Sequence, residues 1–378
     1  MKFFSVFAWL LLELVFSADL RSEGFRPSAE VRISLLIASD GQSIPLRLWG
    51  DDQSPDQIVL GVHGFSDYGR GFAHLLSGID TSGRMLLAAY DQRGFGESAS
   101  RSKWAGIDRL NADLTEVLTH LASRYPDRPI HLIGESMGAA LIIDAMHKPR
   151  SSQLFVDGKA NRSTHDAVID SSILLAPAVW GWDAMPWYQR IGLRLLHRFF
   201  PDMRLSSSHA KRIGIRPTDD PQVAAYLAKD PLMLRDIRVS MLVGLTDLMD
   251  SASRLMPLPG HPSLVILGTQ DEVIPVSAYC KWIDNHSSPV STSWYVQAEG
   301  FHMLTRQIRR DPVIARLRES YADRAHKAQD SGSARHLLDC DRSSGRGDSA
   351  QNRNTQGRQD LLSAHVMSAS DGSQSDSP

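Results

Sequence analysis

Short, uninterrupted apolar runs separated by longer amphipathic stretches make up most of this chain. Residues 57–62, 85–90 and 130–134 are such runs, as are 167–176, 264–268 and 293–297. Turn residues bound them, which is how strands buried on both faces read. Between two of them, Asp108 to Tyr125 carries Leu110, Leu114, Val117, Leu118 and Leu121 at helical spacing and stops at Tyr125-Pro126. Near the start, Glu30 to Ala38 and Ile44 to Trp49 read as an antiparallel pair turned by Asp40-Gly41. Strands alternating with helices predict an α/β class, with a mostly parallel central sheet covered by helices on both faces.

Departures from that rhythm mark out the domains. Residues 148–166 are a polar insertion in a connection that is usually short. From about 179 to 234, Trp180, Trp182, Met185, Trp187, Tyr188, Ile191, Leu193, Phe199 and Phe200 crowd together. This reads as a helical cap, because a small insertion has too little interior to hide so many aromatics. Trp180, Trp187 and Phe200 are its candidate substrate-binding residues. A helix from Arg235 to Leu255 leads back to the core, and a last core helix spans Pro312 to Ala325. The domain thus covers residues 25–326. Residues 327–378, rich in Ser, Asp, Gln, Arg and Gly, are expected to be a disordered polar tail. Residues 1–24 form a signal-like or membrane-associating leader: Met1-Lys2 is followed by an apolar run that Glu13 interrupts. An exported, periplasmic or membrane-associated location is expected over a cytoplasmic one.

Bulk properties exclude several classes. The net charge is −2 and charged residues make up 22%, so bulk electrostatics suggest neither nucleic acid nor an anionic membrane as a partner. With Cys280 in a helical segment and Cys340 in the polar tail, neither a disulfide nor a cysteine metal site is expected. No H-E-x-x-H motif or phosphate-cradling loop occurs, so neither metal nor cofactor is expected. Asn161-Arg162-Ser163 and Arg346-Gly347-Asp348 match glycosylation and adhesion patterns and read as chance occurrences.

The chemistry is carried by Gly134-Glu135-Ser136-Met137-Gly138, which lies between the run Ile130 to Ile133 and the small-residue run Ala139 to Ile143. This G-x-S-x-G sits at a strand–turn–helix junction, the context that projects a serine from the sheet edge and turns the next N–H toward a developing oxyanion. Partners then follow in the order acid, histidine. Asp271 lies just past the strand 264–268, and His302 just past the strand 293–297. Strand C-terminal ends are where such sheets place their chemistry. His302 would take the Ser136 proton, and Asp271 would orient the imidazole. Glu272 is the rival acid, set aside because adjacent side chains diverge. His63 reads as a turn brace. The N–H of Phe65 joins that of Met137 as a candidate oxyanion donor.

His63-Gly64-Phe65-Ser66, Asp91-Gln92-Arg93-Gly94-Phe95-Gly96-Glu97-Ser98, the serine motif, Gly268-Thr269-Gln270-Asp271 and Glu299-Gly300-Phe301-His302 occur in one family's order. They resemble the monoacylglycerol lipase and lysophospholipase branch of the α/β-hydrolase superfamily, grouped with serine aminopeptidase-like hydrolases. The likeness covers residues 30 to 325. It implies an α/β-hydrolase fold with the cap inserted before the acid-bearing strand. It also implies Ser136, Asp271 and His302 as triad, Phe65 and Met137 as oxyanion donors, and a lipid monoester substrate. Glu135 and Phe65 depart from the animal enzymes and look more like bacterial relatives. Hydrolysis of monoacylglycerol or lysophospholipid through an acyl-enzyme is the leading expectation, with peripheral membrane contact through the cap or the N-terminal segment. An acyltransferase using the same triad, an aminopeptidase-like hydrolase, and a non-catalytic binding protein are the alternatives.

Overall fold

The structure, a computed structural model, describes residues 31–155, 169–206, 215–322 and 330–343. The leader, the Asn161 triplet, Arg346-Gly347-Asp348 and much of the tail lie outside these residues. The first half of the chain alternates as its pattern predicts. It runs β1 (Arg32–Ile37), β2 (Ser43–Gly50), β3 (Gln57–Val62), α1 (Leu76–Ile79), β4 (Met85–Tyr90), α2 (Ile107–Arg124), β5 (Ile130–Glu135), α3 (Met137–Met146) and β6 (Ile169–Leu175). The cap segment holds α4 (Trp187–Phe199), β7 (Arg204–Ser206), α5 (Pro221–Lys229) and β8 (Asp236–Arg238). α6 (Val239–Ser253), β9 (Ser263–Gly268), α7 (Val276–Asp284), β10 (Thr292–Gln297), α8 (Asp311–Ala322), α9 (Ser331–Leu337) and α10 (Cys340–Ser343) complete it.

Eight strands form one sheet in the order β1-β2-β4-β3-β5-β6-β9-β10. The pairs β1–β2 and β2–β4 are antiparallel, and every later pairing is parallel. The predicted mostly parallel sheet with helices on both faces is present. β3, β4, β5 and β9 are buried along nearly their whole length, as strands covered on both faces must be. α3 is buried at all ten positions, and its Ala and Gly residues let it sit close to the sheet between α2 and α6.

Three expectations need correction. Cys280 and Cys340 are joined by a disulfide, with Cα atoms 5.4 Å apart. The stretch 331–343 is not disordered: α9 and α10 pack against α7 and β10, burying Ala334, Leu338 and Cys340. A few apolar side chains and a covalent link suffice to order a polar segment, and composition averages hide them. Finally, α6 starts at Val239 rather than Arg235. Residues 236–238 instead pair antiparallel with β7, which holds the end of the cap in extended conformation.

α4 is unusual. It buries Gln189 and Leu193 but leaves Trp187, Tyr188, Ile191, Leu195 and Phe199 exposed along one arc. Arg190, Arg194 and Arg198 recur at four-residue spacing beside that arc. Among the described residues, no helix is long and apolar enough to cross a membrane.

Candidate active site

Ser136 occupies the junction between β5 and α3 with φ +54°, a left-handed conformation uncommon for a residue with a side chain. The turn is tight on both sides. A Cβ on Gly138 would stand 1.9 Å from the Val62 carbonyl oxygen, and one on Gly134 would stand 2.7 Å from the Ala139 nitrogen. Glycine at both positions is therefore a steric requirement. Ser136 is the N-cap of α3, yet its side chain makes no capping bond. Its backbone is clamped instead: its N–H donates to Leu175 O at 2.9 Å, and its carbonyl accepts from Ala178 N at 3.1 Å.

The close approach of Gly138 to Val62 and His63 sets the elbow against the loop that carries Phe65. Met137 begins α3, where a backbone N–H has no acceptor within the helix. The Phe65 ring turns into the core and packs edge-on against Phe95, centroids 5.3 Å apart. His63 braces this loop as expected. Its Nε2 accepts from Gln92 N–H at 3.0 Å, so Nδ1 carries the proton and donates to Gly64 O at 2.8 Å. Gln92 Nε2 adds a bond to His63 O at 2.7 Å. Burial lowers the His63 pKa, which keeps the ring neutral.

Asp271 and His302 meet. His302 Nδ1 lies 2.8 Å from Asp271 Oδ2, and both side chains are buried. Since a carboxylate only accepts, Nδ1 donates and Nε2 is the basic nitrogen. The other oxygen, Oδ1, accepts from Val273 N at 2.8 Å and Ile274 N at 2.9 Å. Glu272 points elsewhere. It accepts from the Arg216 backbone at 2.7 Å and pairs with the Arg216 guanidinium at 3.1 Å.

Arg306 is a residue that sequence reasoning missed. It is buried and pairs with Glu135 and, at 2.7 Å, with Asp67. One guanidinium thus ties together the residue before Ser136, the loop of Phe65 and the loop of His302. Glu135, left without a role by its sequence context, is half of this link. The pairing joins positions 171 apart, and a single sequence carries no trace of it. The cap leans on the same loops through Leu234 N to Ser66 O at 2.9 Å, Met303 N to Pro217 O at 2.8 Å, and Tyr68 hydroxyl to Asp230 at 2.6 Å.

The three cap candidates separate. Trp180 is buried in the main apolar cluster. Trp187 and Phe200 are 67% and 60% exposed, on the surface of the cap. A cleft of about 190 Å³ between Gly181, Arg254 and Trp282 is lined by none of the triad candidates. No group of three metal-ligating side chains occurs among the described residues.

Comparison with known proteins gives this geometry its context. The family described as "Serine aminopeptidase, S33" matches residues 53–307. Mouse monoglyceride lipase is 26% identical over 280 residues, 72% of this chain and 84% of that protein. The monoacylglycerol lipase of Mycolicibacterium smegmatis is 24% identical over 255 residues, 66% of this chain and 82% of that one. Among solved structures, a soluble variant of Saccharomyces cerevisiae monoglyceride lipase superposes with a TM-score of 0.58 at 16% identity, covering 84% of this chain and 99% of that one. A carboxyl esterase from Bacillus coagulans gives 0.57 at 19%, covering 77% and 98%. The structural likenesses establish the fold, and the match across two thirds of the chain places this protein in the serine aminopeptidase S33 family of α/β hydrolases.

Proposed function

We propose that this protein is a serine ester hydrolase acting on lipid monoesters, monoacylglycerol first and lysophospholipid second. The observation that carries the reading is Ser136. A non-glycine residue held at φ +54° is strained by about 1–3 kcal/mol, and such strain persists where it serves to present a group. A hydroxyl spared from capping is what a nucleophile at this turn requires. In the mechanism, His302 Nε2 takes the Ser136 proton as the oxygen attacks the ester carbonyl. Asp271 holds the imidazole and balances its charge, and the N–H groups of Met137 and Phe65 stabilise the oxyanion. The alcohol leaves with the proton from His302. Water then repeats the cycle on the acyl-enzyme.

The names of the lipase relatives favour a lipid ester. So does the exposed arc of Trp187, Ile191, Leu195 and Phe199 beside Arg190, Arg194 and Arg198. An apolar face rimmed by cations suits peripheral contact with a lipid surface. Trp187 and Phe200, both exposed on the cap, are proposed to contact the acyl chain there. Ser136→Ala tests the reading: turnover of monoacylglycerol and labelling by a fluorophosphonate should both vanish, with a loss of about 10⁴-fold or more in kcat. Near-parental turnover would refute it. Aminoacyl amides in the same substrate panel test the peptidase reading that the family's description raises.

A further inference from the structure

Asp271 Oδ2 has a second partner that the mechanism above does not use. The Tyr279 hydroxyl donates to it at 2.7 Å, beside His302 Nδ1 at 2.8 Å. With Val273 and Ile274 N–H on Oδ1, four donors meet this one carboxylate, which has about four lone-pair sites. Tyr279 projects from α7, the helix that follows the acid loop, and is fully buried. Its neighbour Cys280 is bonded to Cys340, so the helix presenting the phenol is stapled next to it. Burial pushes ionisation of the phenol well above the ordinary tyrosine range, so it stays a donor.

We infer that Tyr279 is a positioning residue for the Ser136–His302–Asp271 chemistry: its hydroxyl fixes Asp271 Oδ2 and draws off part of the charge that faces His302. This rests on the triad reading. A carboxylate whose charge is shared between a phenol and an imidazole stabilises the imidazolium less than one that serves the imidazole alone. His302 is therefore a weaker base than an undivided Asp271 would make it, and is neutral and ready at lower pH. Other charges around these loops are paired among themselves: Glu272 with Arg216, and Arg306 with Asp67 and Glu135. They are the same with and without the phenol, so they cancel in the comparison below.

Tyr279→Phe removes one hydroxyl and little else. Profiles of kcat/KM against pH on a short soluble ester, which needs no lipid surface, give the readout. The acid limb should move up by about half to one pH unit, and plateau kcat should fall by about 3- to 10-fold with KM unchanged. Replacement of Tyr279 by 3-fluorotyrosine, a stronger donor, should move the limb the other way. It also carries the test if the Phe variant does not fold. Opposite displacements are what a purely structural tyrosine could not give. An acid limb and plateau equal to the parent's in either folded variant would overturn the inference. Ser136→Ala, assayed alongside, keeps the two readings apart. If it is inert while the Tyr279 variants behave like the parent, only the role of Tyr279 falls. If it turns over substrate, the triad itself falls.

Discussion

Removing the Cys280–Cys340 bridge should lower stability by an amount set mainly by the loop it closes. The two cysteines are 60 residues apart, and closing such a loop in the unfolded chain corresponds to about 4 kcal/mol. The enclosed segment includes the end of α7, β10 and α8, so the constraint acts on core elements as well as on the C-terminal helices. Local bonds near the bridge are weak substitutes. Arg335 pairs with Asp284 at 2.6 Å and Asp341 at 2.7 Å, but these groups are largely exposed, where an ion pair adds at most about 1 kcal/mol. Unfolding entropy of about 2.1 cal/mol/K per residue gives about 0.6 kcal/mol/K for a domain of this size. The doubly substituted Cys280→Ala/Cys340→Ala protein should therefore melt about 7 °C below the parent by calorimetry. Alkylation with mass spectrometry supplies the control. The parent should take up no label until denatured and reduced, then two per chain. Two labels on the untreated parent would mean that the bridge is not there. A melting temperature within about a degree of the parent would mean that the bridge constrains nothing that matters to global unfolding.

Asp271→Asn should cost about 10⁴-fold in kcat by disturbing the imidazole tautomer, whereas Glu272→Gln, which faces Arg216, should cost little; the reverse order would move the acid to Glu272. Arg306→Met should destabilise by about 3–5 kcal/mol, because it leaves Asp67 and Glu135 buried without their cation, and Arg306→Met/Glu135→Gln/Asp67→Asn should recover most of it. A single-variant cost under about 1 kcal/mol in urea would show the cluster to be dispensable. Stability should fall on acidification from pH 6.5 to 4: burial depresses His261 to about 4 and His74 to about 3, so the unfolded chain binds protons there that the folded one refuses. Each such group removes about 2 kcal/mol by pH 5, and a flat stability profile across that range would contradict it. Trp187→Glu combined with Phe200→Glu should reduce binding to anionic vesicles about 10-fold or more while sparing hydrolysis of a short soluble ester; equal losses on both would return these residues to a structural role.

Local features of the chain were enough for most of the scaffold. Strands buried on both faces must be apolar throughout, so β3, β4, β5 and β9 announce themselves, and α2 shows its buried stripe at the helical period. The elbow is equally legible. Gly134 and Gly138 are demanded by contacts with the chain's own next turn and with β3, and the spacing of the motif records that demand. The order of Ser136, Asp271 and His302, each after a strand, follows from where a parallel sheet can offer side chains to a substrate. What lay beyond reach joins residues far apart in the chain. Arg306 reaches Glu135 across 171 positions, and Tyr279 shares an oxygen with His302. Nothing in the composition around Glu135 distinguishes a spacer from half of a buried ion pair. The disulfide was open to inference, since two cysteines and a leader-like N-terminus are compatible with one. The polar surroundings of Cys340 argued the other way, because local composition does not reveal that Ala334 and Leu338 find a core to enter. The aromatic crowding of the cap was likewise plain, but which of its faces meets solvent was not. Periodicity sorts side chains onto faces of a helix; only the packing of α4, with Leu193 turned inward, determines that Trp187 and Phe199 face out.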